Sequence, residues 1–180
     1  MDRDDAQPPR LGLGRGAVQL VDHQPGWAEV FERERLLLRG RLGKLACDIQ
    51  HVGSTAVPGL AAKPIIDIAV AIPSLSVLPD VRTSLVALGY LDRGDFAADG
   101  GHLFVRESAP DVRTHHVHVV RVDDPQWRNY LAFRDGLRSD PRARAEYGAL
   151  KLGLGERVAH DRRAYVAVKV ACIRRILGLG

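Results

Sequence analysis

The stretch from Pro64 to Ile72 constrains this chain more than any other. It reads Pro-Ile-Ile-Asp-Ile-Ala-Val-Ala-Ile, almost continuously apolar and rich in β-branched residues. A run of that length and composition predicts a central strand covered on both faces. Such a strand needs helices above and below it, so the fold it implies is α/β. Its one charge, Asp67, must be paired, hydrogen-bonded, metal-bound or aimed into a cleft. Strand alternation places Ile65, Asp67, Ala69 and Ala71 on one face. The two alanines are small, which predicts space beside the carboxylate for a divalent cation and its waters.

The remaining pattern fits around this strand. Residues 1–17 predict a loose N-terminal arm, rich in Pro, Gly, Asp and Arg, with Val18–Val21 as a short edge strand. A helix opens after Asp22 and Pro25, with Trp27, Val30, Phe31, Glu34 and Leu38 at helical spacing. Ala46–Val52 predicts a strand, Pro79–Leu88 a helix, and Tyr90–Arg93 and His102–Glu107 two further strands. Thr114–Val122 gives the clearest alternation, with Val117, Val119 and Arg121 on one face and His116, His118 and Val120 on the other. From Pro125 the texture becomes helical: Pro125–Leu137, Pro141–Leu154 and Arg162–Leu177 each carry an apolar stripe. The organisation predicted is one domain over 18–180, α/β to about 123 and helical from about 124.

Composition narrows the function classes. With 180 residues, 46% apolar and 27% charged, the chain is large enough to bury a core and too apolar for disorder along its length. No apolar run approaches the roughly 18 residues of a membrane span, and no signal-like segment opens the chain, so a cytoplasmic protein is expected. Cys47 and Cys172 have no neighbouring cysteine and read as two small buried hydrophobes. The net charge of +4 divides into +6 over residues 121–180 and −2 before them. The helical third therefore suits an anionic partner. The charges are spaced along helices and aromatics are 6%, which favours a phosphorylated small molecule over a long nucleic acid.

The chemistry concentrates in His51-Val-Gly-Ser-Thr-Ala-Val-Pro-Gly-Leu-Ala-Ala-Lys-Pro-Ile-Ile-Asp-Ile. A strand ends at Val52. Gly53, Ser54 and Thr55 form a turn whose free amides and hydroxyls are expected to hold a phosphate. Lys63 can add a point charge to the same anion. His51 reads as a structural histidine. On the helices, Arg134 and Arg138 share a face, as do Tyr147 and Lys151, and Tyr165 and Lys169. Either these cations lie along an aromatic packing seam, or Arg134, Arg138, Lys151 and Lys169 point at phosphates. Trp27 and Trp127 read as core anchors.

A glycine-serine turn followed by a strand aspartate resembles the nucleotidyltransferase superfamily. The longer string HVGSTAVPGLAAKPIIDIAV is similar to the signature of the GrpB family. The resemblance continues through HHVHVV at 115–120, YLAFRDGLR at 130–138, AEYGALK at 145–151 and AYVAVK at 164–169. It implies a nucleotidyltransferase-like mixed sheet flanked by helices, with a C-terminal helical bundle. It also implies a nucleotide or other phosphorylated ligand bound in a cleft, floored by Asp67 and His118. GrpB-like domains occur alone or fused behind dephospho-CoA kinase, which brings a CoA-like ligand into view.

The chain departs from a working transferase at one point. Where that superfamily carries Asp-x-Asp or Asp-x-Glu, this strand reads Asp67-Ile-Ala69, and the strand expected to supply a third carboxylate offers His116 and His118. A two-metal mechanism wants oxygens around two Mg²⁺ ions. One aspartate with two histidines is a donor set for a single borderline ion such as Zn²⁺ or Mn²⁺, or the lining of a polar cleft without metal. Three readings follow. In the first, the chain is a transferase in which Asp67 holds a cation and His118 is a ligand or general base. In the second, it is a catalytically degenerate ligand-binding module. In the third, it is an interaction domain for a protein partner.

Overall fold

The computed structural model describes residues 8–17, 19–95, 101–157 and Gly178. Among them a six-stranded mixed sheet carries four helices in the order β1 (Leu13–Gly14), α1 (Gly26–Leu42), β2 (Asp48–Val52), β3 (Ile66–Ile72), α2 (Leu78–Ala87), β4 (Leu91–Asp95), β5 (His102–Ala109), β6 (Val112–Arg121), α3 (Pro125–Ser139) and α4 (Pro141–Arg157). Across the sheet the strands run β2-β3-β6-β5-β4, with β1 on the end of β6. Only β3 and β6 are parallel, and every other pairing is antiparallel. The fold is therefore α/β, as the apolar run of β3 requires.

β3 is apolar throughout because both its faces are covered. Ile66, Ile68, Val70 and Ile72 pack with Val117, Val119 and Phe104 against Trp27, Leu38 and Leu42 of α1 and Val81 and Leu85 of α2. Ala69 and Ala71 face the other way, with Val52 and Val120, and meet Trp127 of α3. The space expected beside Ala69 and Ala71 is thus filled: small side chains let α3 approach the sheet closely. Trp27 and Trp127 are both core anchors, and Trp27 Nε1 also donates to the Arg10 carbonyl.

Local signals set the helix ends. Gly43, at φ +52°, ends α1 where a side chain would be strained. Asp124 caps α3 by accepting from the Gln126 amide at 2.8 Å, and Pro125 takes the first helical position. Asp140 caps α4 in the same way, accepting from Arg142 and Ala143.

Three expectations need correction. The stretch before residue 18 is not wholly a loose arm: Leu13 and Gly14 pair with Arg113 and Val112, and the Gly12 amide donates to the Pro64 carbonyl. Residues 18–21 form no strand among the described residues, and Val21 makes one isolated bridge to Ala62. Cys47 is exposed rather than buried. The helix expected at Arg162–Leu177, with Lys169 and Cys172, lies outside the described residues. No helix among the described residues is long and apolar enough to cross a membrane.

Candidate functional site

The parallel pairing of β3 and β6 sets Asp67 opposite His116 and Ala69 opposite His118. All four project from the face that carries α3, so alternation alone brings one carboxylate and two imidazoles together. His116 Nδ1 lies 3.1 Å from Asp67 Oδ1, and His118 Nε2 lies 3.8 Å from the same oxygen. One donor atom from each of the three falls within 4.8 Å of the others. Side-chain exposures of 30% for Asp67, 22% for His116 and 12% for His118 leave the group within reach of a ligand.

Burial alone would raise the Asp67 carboxyl. Hydrogen bonding from His116 and His118 and the electrostatic pull of the two imidazoles outweigh it and hold Asp67 well below the usual carboxylate range. Asp67 is therefore an anion ready to accept a cation. The donor set of two nitrogens and one oxygen fits one borderline divalent ion, not a pair of Mg²⁺ ions. Bonds of about 2.1 Å place donors roughly 3–4 Å apart around a metal, so a small side-chain contraction would close the group. His116 Nε2 and His118 Nδ1 are buried with no hydrogen-bond partner among the described residues.

Gly53 acts on this site sterically. It sits at φ +70°, and a Cβ there would meet Asp67 Oδ2 at 2.5 Å. The glycine is needed so that the backbone can lie against the carboxylate. The next residues form a single 3-10 turn, Ser54–Ala56, in which the Ala56 and Val57 amides donate back to Gly53 and Ser54. Ser54 remains half-buried. Thr55 is not a free ligand: its hydroxyl donates to the Ile65 carbonyl and accepts from His51 Nε2 at 3.0 Å. His51 stacks on Phe31 with ring centroids 4.7 Å apart, so it is structural, as expected. Lys63 is half-buried just ahead of β3.

Three of the helix cations expected at phosphate, Arg134, Arg138 and Lys151, donate to backbone carbonyls. Arg134 is buried; it donates through NH1 to the His51 carbonyl at 3.0 Å and to Gln50 Oε1 at 2.8 Å, and through Nε to Asp135. Arg138 donates through Nε to the Ala56 carbonyl at 2.8 Å. Lys151 is buried and donates to the Ala61 carbonyl at 2.7 Å. These three side chains clamp the loop that carries Gly53 and Ser54. Arg138 alone is substantially exposed, at 42% of its side chain. Lys169 lies outside the described residues.

Two residues of the site escaped the sequence reading. Tyr130 of α3 packs its ring 5.4 Å from that of His118. Gln50 pairs with Ala69 across β2 and β3 and takes the Arg134 hydrogen bond. The signal for Tyr130 was present in its spacing with Trp127 and Arg134, which places the three on one helix face.

A glycine turn set against a strand aspartate, on a mixed sheet with helices on both faces, is the arrangement the sequence pattern implied. The family description "GrpB protein" matches residues 17–178. The glutamate-rich protein GrpB of Alkalihalophilus pseudofirmus is 35% identical over 170 residues, covering 93% of this chain and 98% of that one. A UPF0157 protein of Streptomyces coelicolor is 40% identical, covering 84% of this chain and 78% of that one. A dephospho-CoA kinase of Mycolicibacterium paratuberculosis is 35% identical over 181 residues, but this chain spans only 44% of its length. The crystal structure of conserved protein GrpB from Enterococcus faecalis superposes with a TM-score of 0.76 at 34% identity, covering 89% of this chain and 96% of that one. The chain belongs to the GrpB family.

Proposed function

We propose that this protein binds a nucleotide or another phosphorylated small molecule over the α3 face of the sheet. A single divalent cation would be held there by Asp67, His116 and His118. The observation that carries the reading is the convergence of those three donors around a carboxylate kept ionised at the mouth of the glycine turn. When bound, the cation would neutralise phosphate charge. Asp67 supplies the anionic anchor. Ser54 and Lys63 would contact the phosphate, and the Tyr130 ring packs beside His118 from the helix side. Arg138 keeps an exposed guanidinium above the turn, which suits an incoming phosphate.

Binding is better supported than turnover. Ala69, the position of a second carboxylate in a working transferase, is fully buried under Trp127 and its neighbours. Transfer of a nucleotidyl or phosphoryl group, with His118 as general base, is the catalytic form of the same proposal. The catalytically degenerate binding module is favoured by that single buried alanine. The kinship with proteins named dephospho-CoA kinase adds CoA and its precursors to the ligands worth testing.

Calorimetric titration of the metal-stripped protein tests this. Zn²⁺, Mn²⁺ and Mg²⁺ would be added first, and then ATP, CTP, GTP, CoA and dephospho-CoA. We expect Zn²⁺ or Mn²⁺ to bind one per chain more tightly than Mg²⁺, at least one phosphorylated ligand to bind only with metal, and both events to vanish in Asp67→Ala. Absence of metal binding in the wild-type chain would sink the cation reading. Equal ligand affinity with and without metal would detach the ligand from Asp67.

A further inference from the structure

A second cluster lies at the N-terminal end of β6, and the Asp67 site makes no use of it. Arg113 pairs across the sheet with Leu13 of β1 on one side and Glu107 of β5 on the other. Arg93, in the middle of β4, donates to Glu107 Oε1 at 3.0 Å. The second Glu107 oxygen accepts from the Asp111 amide at 3.2 Å. Each Glu107 oxygen thus has a donor other than Arg113, and Glu107 acts on Arg113 through its charge alone. Arg15 is anchored by its own amide to the Asp111 carbonyl at 2.8 Å. Its guanidinium stands 3.9 Å from Asp111 Oδ1, beyond hydrogen-bond reach.

Arg113 is left over. It is half-buried, and it makes no hydrogen bond or ion pair to another described residue. Its Nε and that of Arg93 are both buried and unpartnered. Burial, followed by the neighbouring Arg93 and Arg15, lowers the Arg113 guanidinium from its ordinary value, against the opposing pull of Glu107 and Asp111. A partly desolvated guanidinium next to two others, near the Glu107 and Asp111 charges but hydrogen-bonded to neither, is an arrangement that an oxyanion would complete.

We propose that Arg15, Arg93 and Arg113 form a second anion site, which takes the phosphate group of a small molecule. Arg113 supplies the unpaired fork. Arg15, 66% exposed and only loosely held to Asp111, closes on the ligand from the β1 side. Arg93 stays tied to Glu107 and contributes charge. The site stands independently of the Asp67 reading, because none of its residues belongs to that group and its ligand needs no metal.

Inorganic phosphate is the probe, titrated calorimetrically into the metal-free full chain at constant ionic strength, with chloride as the control anion. Saturable millimolar binding is expected. Arg113→Gln should weaken it at least tenfold, and Arg113→Lys, which keeps charge but loses the fork, several-fold. Arg15→Gln removes an exposed side chain without threatening the fold, and should weaken binding about threefold. Asp67→Ala separates the two sites and should leave this affinity unchanged. Phosphate binding that survives Arg113→Gln, that is lost in Asp67→Ala, or that chloride matches would overturn the proposal.

Discussion

A carboxylate lies on each face of the sheet, Glu34 buried and Asp67 partly so, and the two are held in opposite ways. On the α1 face Glu34 accepts from Tyr90 OH at 2.7 Å and from Arg106 NH1 at 2.6 Å, and Arg106 also lies over the Tyr90 ring. Both oxygens are satisfied by donors distant in sequence, and burial, with Glu34 beside it, pushes the Tyr90 hydroxyl up. On the α3 face Asp67 is approached by imidazoles, which can themselves bind a metal, and it keeps contact with solvent. A buried charge is thus no signature of function by itself. Its partners decide: non-exchangeable donors make a structural staple, and ligating groups with an open side make a site.

The histidines divide between the same two faces. His51 and His115 lie on the α1 face, and burial lowers each to about 4. Their folded-state values lie below the ordinary one, so the unfolded chain binds more protons between roughly pH 4 and 6.5. Stability is complete above that window and is lost as pH falls through it. Between pH 7.5 and 5 the expected loss is ~2 kcal/mol for each imidazole. Urea unfolding at the two pH values reads it directly. A flat profile would mean that water reaches the α1 face, which would break the contrast.

Glu34→Ala should be the most damaging single change on the α1 face. It strands Arg106 beside the core and should lower stability by about 3 kcal/mol in a urea titration at pH 7.5. A loss below about 1 kcal/mol would show that the staple is no stronger than a surface ion pair.

Gly53→Ala tests the close approach on the other face. Strain at positive φ and the clash with Asp67 together should cost about 2 kcal/mol. Combining it with Asp67→Ala should return about 1 kcal/mol, because one of the clashing groups is gone. Strict additivity in the double-mutant cycle would mean that glycine serves only the turn.

Asp67→Asn is expected to have the smallest effect on stability, about 1 kcal/mol, because the carboxylate is partly solvated and its ion pairing is screened. The same variant should abolish metal binding. A stability loss matching that of Glu34→Ala would make Asp67 a second staple and remove the distinction between the faces.

Much of this was legible in the chain. Asp67 stood out as the one charge in an apolar strand, and alternation alone put His116 and His118 on one face of β6. The clamp was not legible. Arg134 and Arg138 had the right spacing for one helix face, but whether a guanidinium meets a phosphate or a carbonyl depends on where the helix docks. The glycine-turn carbonyls of His51 and Ala56 are 83 and 82 residues away from them in sequence. The Arg113 cluster was equally hidden. Each of its arginines looks like an ordinary solvated residue until Glu107 is seen to be occupied.

The sequence by itself determined the central strand, the helices packed on it, the helix starts at Pro125 and Pro141, and the family to which the chain belongs. These follow from local propensity, apolar period and a long matching string. Only the tertiary structure decided that Trp127 packs over Ala69 and Ala71, that Thr55 is consumed by His51 and Ile65, and that β3 and β6 run parallel in the register that joins Asp67 to His116. Those outcomes depend on contacts between residues far apart in the chain. Alternation fixes which face a side chain occupies, but only the packed neighbour on that face fixes what it meets.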